Sequence, residues 1–437
     1  MIKDDLICEN LSVNENNELM FAGINTLDLA KKYQTPLYVV DEQRVRYKCK
    51  TYVDAVKEVF GEKGEVLYAS KALSFKMLYG IINEEGLGID VVSQGEIYTA
   101  KMANFPLSKA YFHSNNKTDS DIDYAIKNGV GYFVVDNEEE LLSINEIAKI
   151  NNVKQKVLLR ITPGIDPHTY DAISTGKVDS KFGSPIETGQ AEVITKLAIS
   201  LTNINLVGFH CHVGSQVFEP DVFINTADIM LNFISDINNK LGYLASKFDI
   251  GGGFGVRYKS YQSDIDIYKN IKEIGLFIKQ KCKSLNITMP CICFEPGRSI
   301  VADSGITLYT VGTVKKIPGY KNYVSVDGGM TDNPRYALYK ADYTVVPCYD
   351  MKKERDMKSI VVGRCCESGD IIQKDVYMPS DIKRGDIIAC LTTGAYNYAM
   401  SSNYNKIARP PIVIVNNKQD YLAVRRETLQ DLISLDL

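Results

Sequence analysis

EVLYASKALSFKMLYGIINEEGLGIDVVSQGE (65–96) contains one complete structural unit. VLYAS (66–70) is a continuous apolar run, and IDVVS (89–93) is another. A run without polar alternation is what a parallel strand buried on both faces requires. Between them, 74–85 spaces its apolar residues by three and four, the pattern of a helix laid on such a strand. The alternation continues outward through AYFHS (110–114), GYFVVD (131–136), KVLLRI (156–161), LVGFHCH (206–212), KFDIGGG (247–253) and CICFEP (291–296). Helix-forming segments lie between them, at 119–128, 138–150 and 221–241 among others. Eight strand–helix units predict a (β/α)8 TIM-type barrel over 36–302. PLYVVD (36–41) is a ninth run that precedes the eight and leads into a helix.

After residue 303 the texture changes. ITLYTVGTVKKI, NYVSVDGG, DYTVVPCYD, SIVVGRCC, DIIACLTTG and PIVIV are strand-like runs separated by turn signals, with few helix-length gaps. They predict an antiparallel β domain, a barrel or sandwich, built from 303–437 together with 1–35, where a helix is expected near 26–33. Two domains also suit 437 residues, more than one core usually serves.

Composition excludes several classes. With 45% hydrophobic and 24% charged residues the chain is globular, and a net charge of −4 without a basic stripe argues against a nucleic-acid partner. No apolar run approaches the roughly 18 residues of a membrane span. The start, MIKDDLICEN, lacks the apolar core of a signal peptide, so a cytoplasmic protein is expected. Ten cysteines are scattered without paired CxxC knuckles, which predicts reduced thiols and no metal site.

In a (β/α)8 barrel the chemistry sits at the C-terminal strand ends. Those ends carry Lys71, then Asp90 and Ser93, then His113 with Asn115 and Asn116, then His210, His212 and Ser215, then Gly251 to Gly253, and finally Glu295, Pro296, Gly297 and Arg298. Three of the four histidines are at strand ends, and His168 follows the fifth strand. Lys71 in an enclosed mouth would be desolvated, freeing its amine to form a Schiff base. FDIGGGFGV (248–256) is a glycine-rich turn whose backbone N–H groups can cradle a phosphate. Val256 and Tyr258 stand where a dinucleotide fingerprint would need its last glycine. His212 lacks partners at metal-protease spacing and suits stacking on a flat ring, while His210 is expected to be structural. Glu295, costly to bury alone, would keep a pyridine nitrogen protonated.

Ten motifs in order resemble the fold-type III pyridoxal-phosphate-dependent decarboxylases, nearest the branch that acts on meso-diaminopimelate. They are YASKA (68–72), GIDVVSQGE (88–96), HSNNK (113–117), STGKVDSKFG (174–183), GFHCHVGSQ (208–216), DIGGGFG (249–255), EPGRSIVADSG (295–305), DGGMTDNPRYALY (327–339), CESGD (366–370) and TGAYNYAMSSNYN (393–405). The resemblance spans nearly the whole chain. It implies pyridoxal 5'-phosphate carried by Lys71, with His212 on the ring face and Glu295 at the ring nitrogen. Ser215, Gly253, Pro296, Gly297, Arg298 and Tyr396 would bind the cofactor. Arg298, Arg335 and Tyr339 would grip the far carboxylate of the substrate, Tyr396 would also meet the substrate, Glu367 would pair with its far ammonium, and Cys366 would return a proton to carbon from a second subunit. A homodimer with shared active sites is therefore implied.

Leu73 and Lys340 depart from the family's usual Asn and Gly, and Cys365 adds a thiol beside Cys366. Decarboxylation of ornithine, lysine or arginine is the alternative on the same scaffold; those relatives follow the acid cysteine with Asp and need no arginine for a distal carboxylate. A racemase would place arginine, not Glu295, at the ring nitrogen. A non-catalytic dimerising relative would lack Lys71 or Cys366.

Overall fold

The computed structural model describes residues 6–165 and 179–437. The chain forms two compact units, one comprising Lys48–Gly255 and Ile265–Ser299, the other the residues up to Tyr47, Val256–Asp264 and Ile300–Leu437.

The first unit is a closed parallel barrel. Its strands are Gly64–Ala69, Gly88–Val91, Ala110–Phe112, Tyr132–Val135, Gln155–Thr162, Ile204–His210, Lys247–Asp249 and Cys291–Phe294. Each overlaps one of the eight runs read from the sequence. The eighth strand pairs with the first, Cys293 beside Glu65, and the fourth with the fifth, which closes the ring. Leu67, Tyr111, Val134, Leu158 and Cys293 fill the interior. Burying each such side chain stabilises the fold by about 1.5–3 kcal/mol before entropy is counted. Helices begin close behind the strand ends because capping residues stand there. Ser93 caps Gln94–Met102, Thr118 forms a reciprocal capping box on Asp119–Lys127, and Asn137 caps Glu138–Ile150. This geometry gathers helix N-termini and strand C-termini at one mouth.

The second unit is a sheet in the order 371–378, 357–362, 321–326, 305–317, 37–41, 412–416, 419–424, with 387–390 also on 305–317 and 345–347 on 387–390. The segment 36–41, assigned to the barrel from sequence, belongs here. Leu37–Asp41 is antiparallel to Gly305–Ile317 on one side and parallel to Ile412–Asn416 on the other, and buried throughout. A continuous apolar strand reads alike in either sheet, so periodicity could not place it. The sheet is also mixed, not wholly antiparallel, since 321–326 pairs in parallel with 357–362 as well. Both parallel pairs join strands far apart in sequence, as parallel connections require. Thr26–Tyr33 is helical, and a small antiparallel sheet (11–13, 19–21, 24–25) contributes Leu11, Leu19 and Phe21 to the core formed with Leu37, Val39, Leu308 and Val413.

Candidate functional site

The barrel mouth centres on Glu295, directly after the eighth strand. Its carboxylate lies 2.9 Å from His113 Nε2 and 3.2 Å from His210 Nε2, and the two imidazoles meet edge to face with centroids 5.0 Å apart. All three side chains are buried. Burial would push the Glu295 carboxyl up, but the imidazoles outweigh it and hold it well below the carboxylate range. Burial drives the His113 imidazole down to about 4 against the pull of Glu295, and lowers His210 in the same way. Asp90 and Asp249, also buried, are pushed well above the carboxylate range by burial and then by the Glu295 charge. Three carboxyl groups thus share the mouth, and Glu295 is the one held ionised.

Lys71 follows the first strand in a short 3-10 turn, Ser70–Ala72. It is exposed, contrary to the expected desolvation. The turn Ser70–Ala72 leads the chain away from the strand. His212 is half-buried, and burial followed by the Lys71 charge lowers its imidazole well below the usual range.

The glycine-rich turn lies beside Ser215 and Arg298. The Arg298 Nε and Nη2 donate to Ser215 Oγ at 3.2 and 3.0 Å. At Gly252 a Cβ would stand 1.9 Å from the Glu295 carbonyl oxygen; at Gly253, with φ +122°, it would stand 2.3 Å from that of Gly214. A Cβ at Gly297 would meet Ala69 Cβ at 2.8 Å. Backbone therefore crosses backbone here with no room for side chains. Pro296, between Glu295 and Gly297, fixes the chain where its carbonyl accepts from Ala69 N–H at 3.0 Å.

The remaining candidates lie in the other unit. Arg335 opens the short helix Arg335–Tyr339 and is buried, with its guanidinium 5.7 Å from the Tyr396 ring centroid. Tyr339, at the end of that helix, is exposed. Cys366 and Glu367 occupy an exposed turn; Cys366 N–H donates to Asn405 Oδ1 at 3.0 Å, and Glu367 Oε1 accepts from Gly369 N–H at 3.0 Å. Neither hydrogen-bonds another candidate residue among the described residues. His168 and the start of STGKVDSKFG lie outside the described residues.

Sequence reasoning placed His113 at a strand end without a role and expected His210 to be structural. The structure brings both onto Glu295, from the third, sixth and eighth strands, a convergence with no local sequence signal. Donor atoms also cluster at Glu65, Cys291 and Cys293, within 4.8 Å of one another, with Lys247 paired to Glu65.

The mouth fits pyridoxal phosphate on its own geometry. A lysine follows the first strand, an enclosed anionic carboxylate ends the eighth, and side-chain-free backbone adjoins a serine and an arginine suited to phosphate. Comparison with known proteins agrees. Residues 43–302 match the pyridoxal-binding domain of the pyridoxal-dependent decarboxylases. The chain is 40% identical over 424 residues to diaminopimelate decarboxylase of Bacillus subtilis, covering 97% of this chain and 96% of that one. It is 41% identical over 423 residues to the enzyme of Staphylococcus aureus, covering 97% and 98%. Among solved structures, diaminopimelate decarboxylase of M. jannaschii in complex with L-lysine superposes with a TM-score of 0.90 at 32% identity, covering 98% of each chain.

Proposed function

The chain belongs to the pyridoxal-dependent decarboxylases, within the diaminopimelate decarboxylase family, and from that premise we propose that it converts meso-2,6-diaminopimelate to L-lysine and carbon dioxide, the last step of lysine biosynthesis. The observation that carries this reading is Glu295, held ionised by His113 and His210 in the mouth that also presents Lys71. Bound pyridoxal phosphate supplies an electron sink for the charge left on carbon when carbon dioxide departs.

Each residue then has a task. Lys71 holds the cofactor through its amine. Glu295 keeps a proton at the ring nitrogen, and the imidazoles of His113 and His210 keep Glu295 from taking that proton itself. His212 would pack against the ring face. Ser215, Gly253, Pro296, Gly297 and Arg298, with Tyr396 by the family resemblance, would hold the phosphate and ring. Arg298, Arg335 and Tyr339 hold the distal carboxylate, Tyr396 also meets the substrate, and Glu367 pairs with the distal ammonium. Cys366, contributed by the partner subunit of a homodimer, delivers the proton that replaces the lost carboxylate.

A substrate with a carboxylate at both ends explains why Arg335 is a buried cation with no carboxylate paired to it among the described residues. Ornithine, lysine and arginine have only the carboxylate that leaves, and give such an arginine nothing to bind. No helix among the described residues is long and apolar enough to cross a membrane. Borohydride reduction of the cofactor-loaded protein followed by peptide mass analysis tests the attachment. A pyridoxyl group on Lys71, absent in Lys71→Ala, is expected; modification elsewhere, or none, overturns it. Light scattering in solution tests the dimer.

A further inference from the structure

Arg335 is held by phenols. Its Nη1 donates to Tyr343 Oη at 2.8 Å and, more weakly, to Tyr258 Oη at 3.4 Å. The rings of Tyr258, Tyr343 and Tyr396 surround the guanidinium at 5.7–5.8 Å. Tyr343 is itself fixed. It is fully buried, Asn397 Nδ2 donates to its Oη at 3.2 Å, and its backbone N–H donates to Gln373 Oε1 at 2.8 Å. Gln373 is in turn held by Asp342 Oδ1 at 2.9 Å. Burial pushes the Tyr343 phenol up to about 12, so this partner is neutral near pH 7.

Two consequences follow. A neutral clamp orients the cation without cancelling its charge, whereas a carboxylate partner would compete with any incoming anion. Both phenols also take the same nitrogen, so the Nε and Nη2 edge has no acceptor among the described residues. That edge is the fork that meets a carboxylate with two parallel hydrogen bonds.

We propose that Tyr343, clamped by Asn397 and Gln373, is a positioning residue that aims the Arg335 fork and sets selectivity for ligands bearing the distal carboxylate. The inference rests on the reading of Arg335 given above. No carboxylate, metal or further base is needed for it. Tyr343 gives the ligand no bond of its own, so its loss acts by releasing the Arg335 fork from its aim, an effect of about tenfold on binding of a distal carboxylate.

The test is calorimetric titration of the cofactor-loaded enzyme with L-lysine, which keeps the distal carboxylate, and with cadaverine, which lacks it. Tyr343→Phe retains the ring and removes the hydroxyl. It should weaken L-lysine about tenfold and leave cadaverine unchanged. Asn397→Ala, which loosens the phenol but keeps it, should give a smaller loss of the same selectivity and serves if Tyr343→Phe does not fold. Equal weakening of both ligands, or of neither, overturns the positioning role. Arg335→Met separates the two readings. If it abolishes the preference for L-lysine while Tyr343→Phe does not, the positioning role alone falls. If Arg335→Met keeps the preference, the reading of Arg335 falls and the inference with it.

Discussion

Gly253→Ala should damage cofactor binding far more than folding. The new Cβ would lie 2.3 Å from the Gly214 carbonyl oxygen, and the residue sits at φ +122°. A carbon–oxygen contact needs about 3.3 Å, so the two backbones must part by about 1 Å. Holding an L-residue at such a φ adds about 1–3 kcal/mol of strain. Gly214 precedes Ser215, whose Oγ accepts from Arg298, so the displacement reaches the groups proposed for phosphate. Losing one hydrogen bond to the charged phosphate costs about 1.5–3 kcal/mol, or about ten- to a hundredfold in Kd. Titration of the apoprotein with pyridoxal phosphate, followed by absorbance, should show the Kd rising by about that factor. Gly319→Ala is the control: φ is +78° but no atom lies within 4 Å, so strain is the only change and the Kd should hold. A Gly253→Ala protein with wild-type affinity would refute the reasoning about this turn.

Other consequences are accessible to the same preparation. His113 is neutral when folded, with a pKa of about 4 against 6.5 unfolded, so the unfolded chain takes up the proton first as pH falls. Its contribution is complete above pH 6.5 and lost progressively down to about 4, amounting to at most about 3 kcal/mol. Urea unfolding at several pH values should show that slope, and His113→Gln should flatten it; an unchanged slope would count against the burial argument. Lys117 Nζ lies 2.7 Å from Glu140 with both side chains buried, so Lys117→Met should cost about 3–5 kcal/mol by stranding the carboxylate. Thermal melts should show Lys117→Met/Glu140→Leu recovering most of that loss, and no recovery would mean that the stranded charge is not the cause. Cys366→Ala should lower kcat about 10²–10⁴-fold with little effect on KM, as loss of a proton donor requires; a change confined to KM would assign Cys366 to binding instead.

The barrel was legible because each of its strands is buried on both faces and flanked by a helix of clear periodicity. VLYAS and CICFEP announce the first and eighth strands by composition alone, and the chemistry then falls at their ends. Pairing between distant segments was not legible. Leu37–Asp41 reads like a barrel strand, yet bonds to segments about 270 and 370 residues away in the other unit. The contacts of His113 and His210 with Glu295 arise only when the ring closes. Desolvation of Lys71 was inferred from its place at a barrel mouth, whereas the residue is exposed. The phenols around Arg335 come from Tyr258, Tyr343 and Tyr396, which share no motif, so only the fold reveals the clamp.

The central claim is tested most directly by measuring carbon dioxide release from meso-diaminopimelate with added pyridoxal phosphate, beside ornithine, lysine and arginine. Release from diaminopimelate alone, with L-lysine as product and none from Lys71→Ala, is the predicted result. Turnover of ornithine, lysine or arginine without turnover of diaminopimelate would contradict the assigned substrate and the distal role of Arg335.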